Sequence, residues 1–182
     1  WCGLVIYGLV LGLNNQNDLI AYFNARATDP AYIVLFWMVY PILKLVHEIG
    51  HGLAVWFGGG RVTKAGILLL VFMPVPFVDA SESSHFQSKK LRMLVSGAGV
   101  MAEMLLAVIG LMLWRHSDSV LLQEIGFIVA LAGSVSTIIF NANPLLRFDG
   151  YYLLSDWIEV PNLATRSQQL VRRFFFSRVF GL

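Results

Sequence analysis

Ala31–Phe57 runs almost without a polar residue and is long enough to cross the hydrocarbon core of a bilayer, which takes roughly 20 apolar residues. Met93–Trp114 and Val120–Phe140 repeat the pattern. Stretches of this length constrain the fold more than any other feature, because lipid leaves no partner for open backbone groups and favours helices. Composition agrees. Charged residues make up 13% of the 182-residue chain and apolar residues 57%. A water-soluble domain carries about a quarter charged residues. The expected fold is therefore mainly α: a polytopic membrane bundle of about four spanning helices in contact with the lipid bilayer. A net charge of +2 gives no reason to expect a nucleic-acid partner. A single cysteine, Cys2, excludes an internal disulfide and a multi-cysteine metal site.

Residues 1–13 read as part of a spanning helix without the basic start or cleavage signature of a signal peptide. Asn14–Pro30 is polar and reads as a loop. Gly58-Gly59-Gly60 ends the helix expected over residues 31–57. In residues 61–80, Val62–Phe72 is rich in β-branched and large apolar side chains, and Pro74 and Pro76 follow. A strand or re-entrant hairpin at the membrane fits better there than a span. Asp79–Arg92 is polar. Spanning helices are expected over 93–114 and 120–140, the second rich in small residues such as Gly126 and Gly133 that permit close helix approach. Residues 141–158 break the pattern as a turn or re-entrant segment, and 161–182 hold four arginines and no acid, as a juxtamembrane segment would. The whole, 1–182, reads as one membrane-embedded unit excerpted from a longer protein.

Basic Lys89, Lys90, Arg92 and the arginine-rich tail belong on the cytoplasmic side by the positive-inside rule. Tracing the chain from there brings His47–His51 and Asn141–Gly150 to similar depth, toward the cytoplasm. The first is His47-Glu48-Ile49-Gly50-His51. Histidines at i and i+4 share one helix face, roughly 6 Å apart along the axis at about 1.5 Å per residue. Both imidazoles can then reach one Zn2+ ion at about 2.0–2.1 Å, with Glu48 beside it as base for the bound water. In an apolar span each of these groups is costly without a partner, which argues against coincidence. Gly50 and Gly52 leave room for metal, water or a neighbouring helix.

A catalytic zinc takes three protein ligands and an open position. Asp79, Glu82, His85, Glu103, Asp118, Asp149 and Asp156 are the candidates for the third. Asp118 falls on the opposite face. Glu103 is mid-helix, in a structural or supporting role. Asp79, Glu82 and His85 lie in polar sequence where solvation suffices. Asp149, between Phe148 and Gly150, is preferred; its alternative role is a helix N-cap or Asx-turn.

The His-Glu-x-x-His stretch in a membrane helix, followed far downstream by Asn143-Pro144-Leu145-Leu146-Arg147-Phe148-Asp149-Gly150, resembles the site-2 protease family of intramembrane zinc metalloproteases. The run Asn143–Asp156 with Ile158-Glu159-Val160-Pro161-Asn162 is most similar to the bacterial branch labelled peptide zinc metalloproteases. The resemblance implies His47, His51 and Asp149 as zinc ligands and Glu48 as catalytic base. It also implies residence in a bacterial inner membrane and a membrane protein or peptide as substrate. Many members carry an asparagine in the helix after the β-like segment, where this chain has Glu103.

Hydrolysis of a peptide bond at or in the membrane is the expected activity, with Asn143 a candidate for holding substrate or oxyanion. Asn141 and Arg147 are further candidates, for which local roles are favoured. Val62–Phe72 could receive an extended substrate segment by edge pairing. Lys44 is assigned to lipid head groups, and His85 and His116 to solvent. Trp37, Trp56, Trp114 and Trp157 are assigned to interfacial anchoring. A metal-ion transporter would need a second span with a His–acid pair, and a non-catalytic scaffold would not need Glu48. A di-iron oxidase needs about twice the 4 histidines present. Oligomeric state is left open.

Overall fold

A computed structural model describes residues 1–70 and 72–180. The chain is mainly helical: α1 (Cys2–Asn14), α2 (Gln16–Arg26), α3 (Pro30–Phe57), the strands β1 (Ala65–Leu70) and β2 (Met73–Val78), α4 (Lys89–His116), α5 (Val120–Leu131), α6 (Asp149–Ile158) and α7 (Leu163–Phe180). Among the described residues, three helical stretches are long and apolar enough to cross a membrane: Pro30–Phe57, Lys89–His116 and Val120–Asn141. α1 is apolar but shorter, at 13 residues.

Local chemistry sets the ends of α3. Asp29 caps it, its carboxylate accepting from Ala31 N at 2.9 Å, and Pro30 occupies the first turn, where a missing N–H costs nothing. Gly58 closes the helix and Gly59 turns the chain away at φ 84°, a conformation glycine adopts freely. α4 is the central helix, packing on α1, α3, α5 and α6. Glycines allow the close crossings. A Cβ on Gly110 would lie 2.6 Å from Gly126 O, and one on Gly126 would lie 2.6 Å from Gly110 O. A Cβ on Gly50 would meet Ala98 O at 2.9 Å, so Gly50 serves the neighbouring helix.

Residues 61–80 form an antiparallel hairpin, in register Ala65↔Val78 to Leu70↔Met73. Pro74, Pro76 and Val78 share one parity along β2, and Val78 N points away from β1 to donate to the Glu48 carboxylate at 2.9 Å. The two prolines therefore fall where the ladder needs no donor, which is how β2 tolerates them. Ile67, Leu68, Leu69, Leu70 and Phe72 are all exposed, an apolar surface at the hairpin's far end.

The structure departs from the sequence reading at several points, among them the 141–158 segment, where Asp149 opens the helix α6 rather than lying in a turn or re-entrant stretch. The segment assigned to a loop contains α2, with Asp18 in its first turn and Arg26 in its last, charges that suit the helix dipole. Its Tyr22 packs on Trp114 and Phe127 at ring-centroid distances of 6.0 and 4.8 Å. Trp114 is consequently buried in an aromatic core with Tyr32 and Phe127 rather than anchored at an interface, while Trp37, Trp56 and Trp157 are exposed. Finally, α5 continues as a π-helix over Ala132–Asn141, where Ala142 N bonds Thr137 O at 2.7 Å, five residues back.

Candidate metal centre

His47 and His51 project from α3 onto α4, both buried. His51 Nδ1 lies 2.7 Å from Val95 O. A carbonyl only accepts, so Nδ1 carries the proton and the Nε2 lone pair is free for a metal. His47 Nε2 lies 3.1 Å from His51 Nε2. α6 brings Asp149 to the same point from its first turn: Oδ2 is 3.0 Å from His47 Nε2, and Oδ1 is 3.3 Å from His51 Nε2. The carboxylate, from a distant part of the chain, thus meets the imidazole pair face to face.

At two positions around this point the backbone leaves no room for a side chain. A Cβ on Gly99 of α4 would lie 2.4 Å from His47 Cε1 and 2.5 Å from both Nε2 atoms. A Cβ on Gly150 would lie 2.4 Å from Ala142 O, so the turn before α6 closes tightly over Asp149. α6 is also held near its other end. Asp156 accepts from Arg92 Nε at 3.3 Å and from Ser96 Oγ at 3.0 Å, both on α4.

His47, His51 and Asp149 could together hold a metal ion. Ligands at about 2.0–2.1 Å in a tetrahedron stand roughly 3.3 Å from one another; the two Nε2 atoms are 3.1 Å apart, and the carboxylate presents one oxygen to each at 3.0 and 3.3 Å. Asp149 Oδ2 is buried and makes no hydrogen bond, an orphan that a cation would satisfy.

Glu48 is next to His47 on α3, and its hydrogen bond from Val78 N fixes the carboxylate's direction. Of the other third-ligand candidates, Asp79 accepts from Ser81 N at 3.0 Å and Glu82 accepts from Arg61 N. Asp156 belongs to the α4–α6 latch. Asp118 follows the far end of α4, about 25 Å along the axis from Gly99 at 1.5 Å per residue. His85 and His116 are exposed. Asn143 Oδ1 accepts from Leu145 N at 2.9 Å, forming an Asx-turn, and Arg147 is exposed.

Two residues behave otherwise than the sequence suggested. Lys44 is buried, with Nζ 2.5 Å from Glu103 Oε1, because three residues before His47 is the same inward helix face. Asn141 is buried and donates to Glu103 Oε2 at 2.8 Å instead of serving its own loop. Glycine 99 gave no sequence signal beyond lying among small residues of an apolar run.

Asp149 lines a cleft of about 670 Å3 between α4 and α6, walled mainly by apolar side chains such as Met93, Leu153 and Trp157, with Lys90 also on its wall. A second cavity, of about 500 Å3 between α1, α2, α4 and α5, contains none of the site residues. Comparison with protein-family models, with curated proteins and with solved structures finds no match.

Proposed function

We propose that the chain is the core of a membrane-embedded zinc-dependent peptidase, hydrolysing peptide bonds of membrane proteins or membrane-associated peptides. The observation that carries this reading is the convergence of two imidazole Nε2 atoms and the Asp149 carboxylate at one buried point, with Glu48 next to His47 in sequence. Two imidazoles and one carboxylate are a common catalytic zinc set, leaving a position for water.

Zinc, when bound, polarises the scissile carbonyl and acidifies its water toward a pKa of about 7. His47, His51 and Asp149 would hold it. Glu48 takes the proton from the water and delivers it to the departing amine. Its tie to Val78 N orients one carboxylate oxygen and links the base to the hairpin. The β1 edge opposite β2 offers main-chain groups for an extended substrate segment; the β2 edge does not, since Pro74 and Pro76 lack donors and Val78 N is taken. A spanning substrate helix must unwind to be cut, because its peptide groups are otherwise satisfied internally. The cleft between α4 and α6, of about 670 Å3 and mainly apolar, offers a place for the unwound segment beside Asp149.

Residence in the bilayer is supported by the three spanning-length helices and the apolar hairpin, and α1, packed on α4, is read as a fourth membrane helix. Lys89, Lys90 and Arg92 at the start of α4 support the reading that this end of the bundle faces the cytoplasm. The test is purified protein in nanodiscs with a fluorogenic membrane peptide. Zinc-loaded wild type should cleave it and Glu48→Gln should bind zinc without turnover. Zinc flux across liposomes in both forms, with no cleavage in either, would identify a transporter instead.

A further inference from the structure

Glu103 is fully buried halfway along α4, where a lone carboxylate would be expensive. It is not alone. Lys44 of α3 pairs with Oε1 at 2.5 Å. On the π-helical segment after α5, Asn141 Nδ2 donates to Oε2 at 2.8 Å and Thr137 Oγ1 donates to the same oxygen. The remaining neighbour is His47, whose Nδ1 lies 3.4 Å from Oε2. That Nδ1 is buried and has no hydrogen bond of its own, and the carboxylate is the acceptor facing it.

We propose that Glu103 is the positioning residue for His47, keeping the proton on Nδ1 and the Nε2 lone pair on the metal. The assignment rests on the metal-site reading above. The two imidazoles are then handled alike from behind, His51 by the Val95 carbonyl and His47 by the Glu103 carboxylate. A carboxylate backing a ligating histidine orients the ring and raises its basicity. Lys44 supplies the opposite charge that lets the carboxylate stay in the apolar interior. Thr137 and Asn141 have a second effect. They tie the carboxylate behind His47 to the segment that leads, through the Asn143–Phe148 turn, to Asp149. The wide π turns that present both side chains to Glu103 are the kind of irregularity that recurs at functional sites. One buried network thereby links α3, α4 and the approach to α6.

The experiment measures zinc affinity by chelator competition, and the d–d spectrum of the Co2+-loaded protein, for the full chain in nanodiscs. Variants are Glu103→Gln, Lys44→Met with Glu103→Gln, and Thr137→Val. Removing such a supporting carboxylate should weaken zinc binding by about 10–100-fold, and the Co2+ bands should shift. The double variant removes both buried charges together, so it should fold and show the same loss. Thr137→Val should give a smaller loss in the same direction. Thermal melting of the metal-free proteins separates a merely structural role, which would lower the melting temperature and leave the affinity and the spectrum unchanged. Wild-type affinity and spectrum in the folded double variant would overturn the proposal. A wild type that binds no zinc would instead overturn the metal site itself.

Discussion

Replacing Gly99 by alanine adds one methyl group where the structure has no room for it. The new Cβ would lie 2.4–2.5 Å from His47 Cε1 and from both Nε2 atoms, about 1 Å inside the 3.4 Å at which ordinary contact begins. Neither ring can retreat freely, because His51 is held by Val95 O and His47 is backed by Glu103. The obstruction falls on the atoms that would bind the ion. Overpacking of this kind costs about 1–3 kcal/mol. If the displacement is taken by the rings, zinc affinity falls by the same amount, roughly 5–150-fold at 1.4 kcal/mol per decade. Gly97→Ala is the matched control: it makes the same chemical change on the same helix, and its Cβ meets nothing within 4 Å. Both substitutions gain helix propensity of about 0.5–1 kcal/mol, which cancels in the comparison. Zinc dissociation constants by chelator competition, with melting curves of the metal-free proteins, give the result. Gly99→Ala with the affinity of Gly97→Ala would refute the claim that α4 is cut away to admit a metal between the imidazoles.

Further outcomes follow from the same geometry. Gly126→Ala places a methyl 2.6 Å from Gly110 O, a backbone atom, and should destabilise the α4–α5 crossing by about 1–3 kcal/mol, read as a lower melting temperature. Asp156→Asn weakens the latch from Arg92 and Ser96 and should reduce zinc affinity several-fold by loosening α6, while Glu159→Gln at the exposed end of the same pairing should change it little. Gly97→Leu fills the cleft beside Asp149 and should lower cleavage of a membrane peptide with zinc content intact; equal cleavage would place the substrate elsewhere.

The chemistry-bearing helix was legible because His-Glu-x-x-His is a statement about helical period, and period survives in a single sequence. Asp149 was legible through its spacing relative to a known motif and through depth, since the charge asymmetry of the loops brings both segments to one level. The hairpin was legible from two prolines in a short apolar run. What failed was anything that depends on the facing direction of a long side chain or on partners distant in sequence. Lys44 has an inward position by helical arithmetic, yet the long side chain of a lysine can equally extend toward head groups, and only the presence of Glu103 decides. Trp114 reads as an anchor until α2, hidden in an asparagine-rich stretch, supplies Tyr22. The π turns after α5 leave no mark on composition, so the turning of Thr137 and Asn141 toward Glu103 could not be read.

The central claim is that one divalent cation sits between His47, His51 and Asp149. Metal content of the purified membrane protein by mass spectrometry, wild type beside Asp149→Ala, tests it most directly. One zinc per chain in the wild type and close to none in the folded variant is the expected pair of values. Equal zinc in both, or none in either after reconstitution with the metal, would contradict the account.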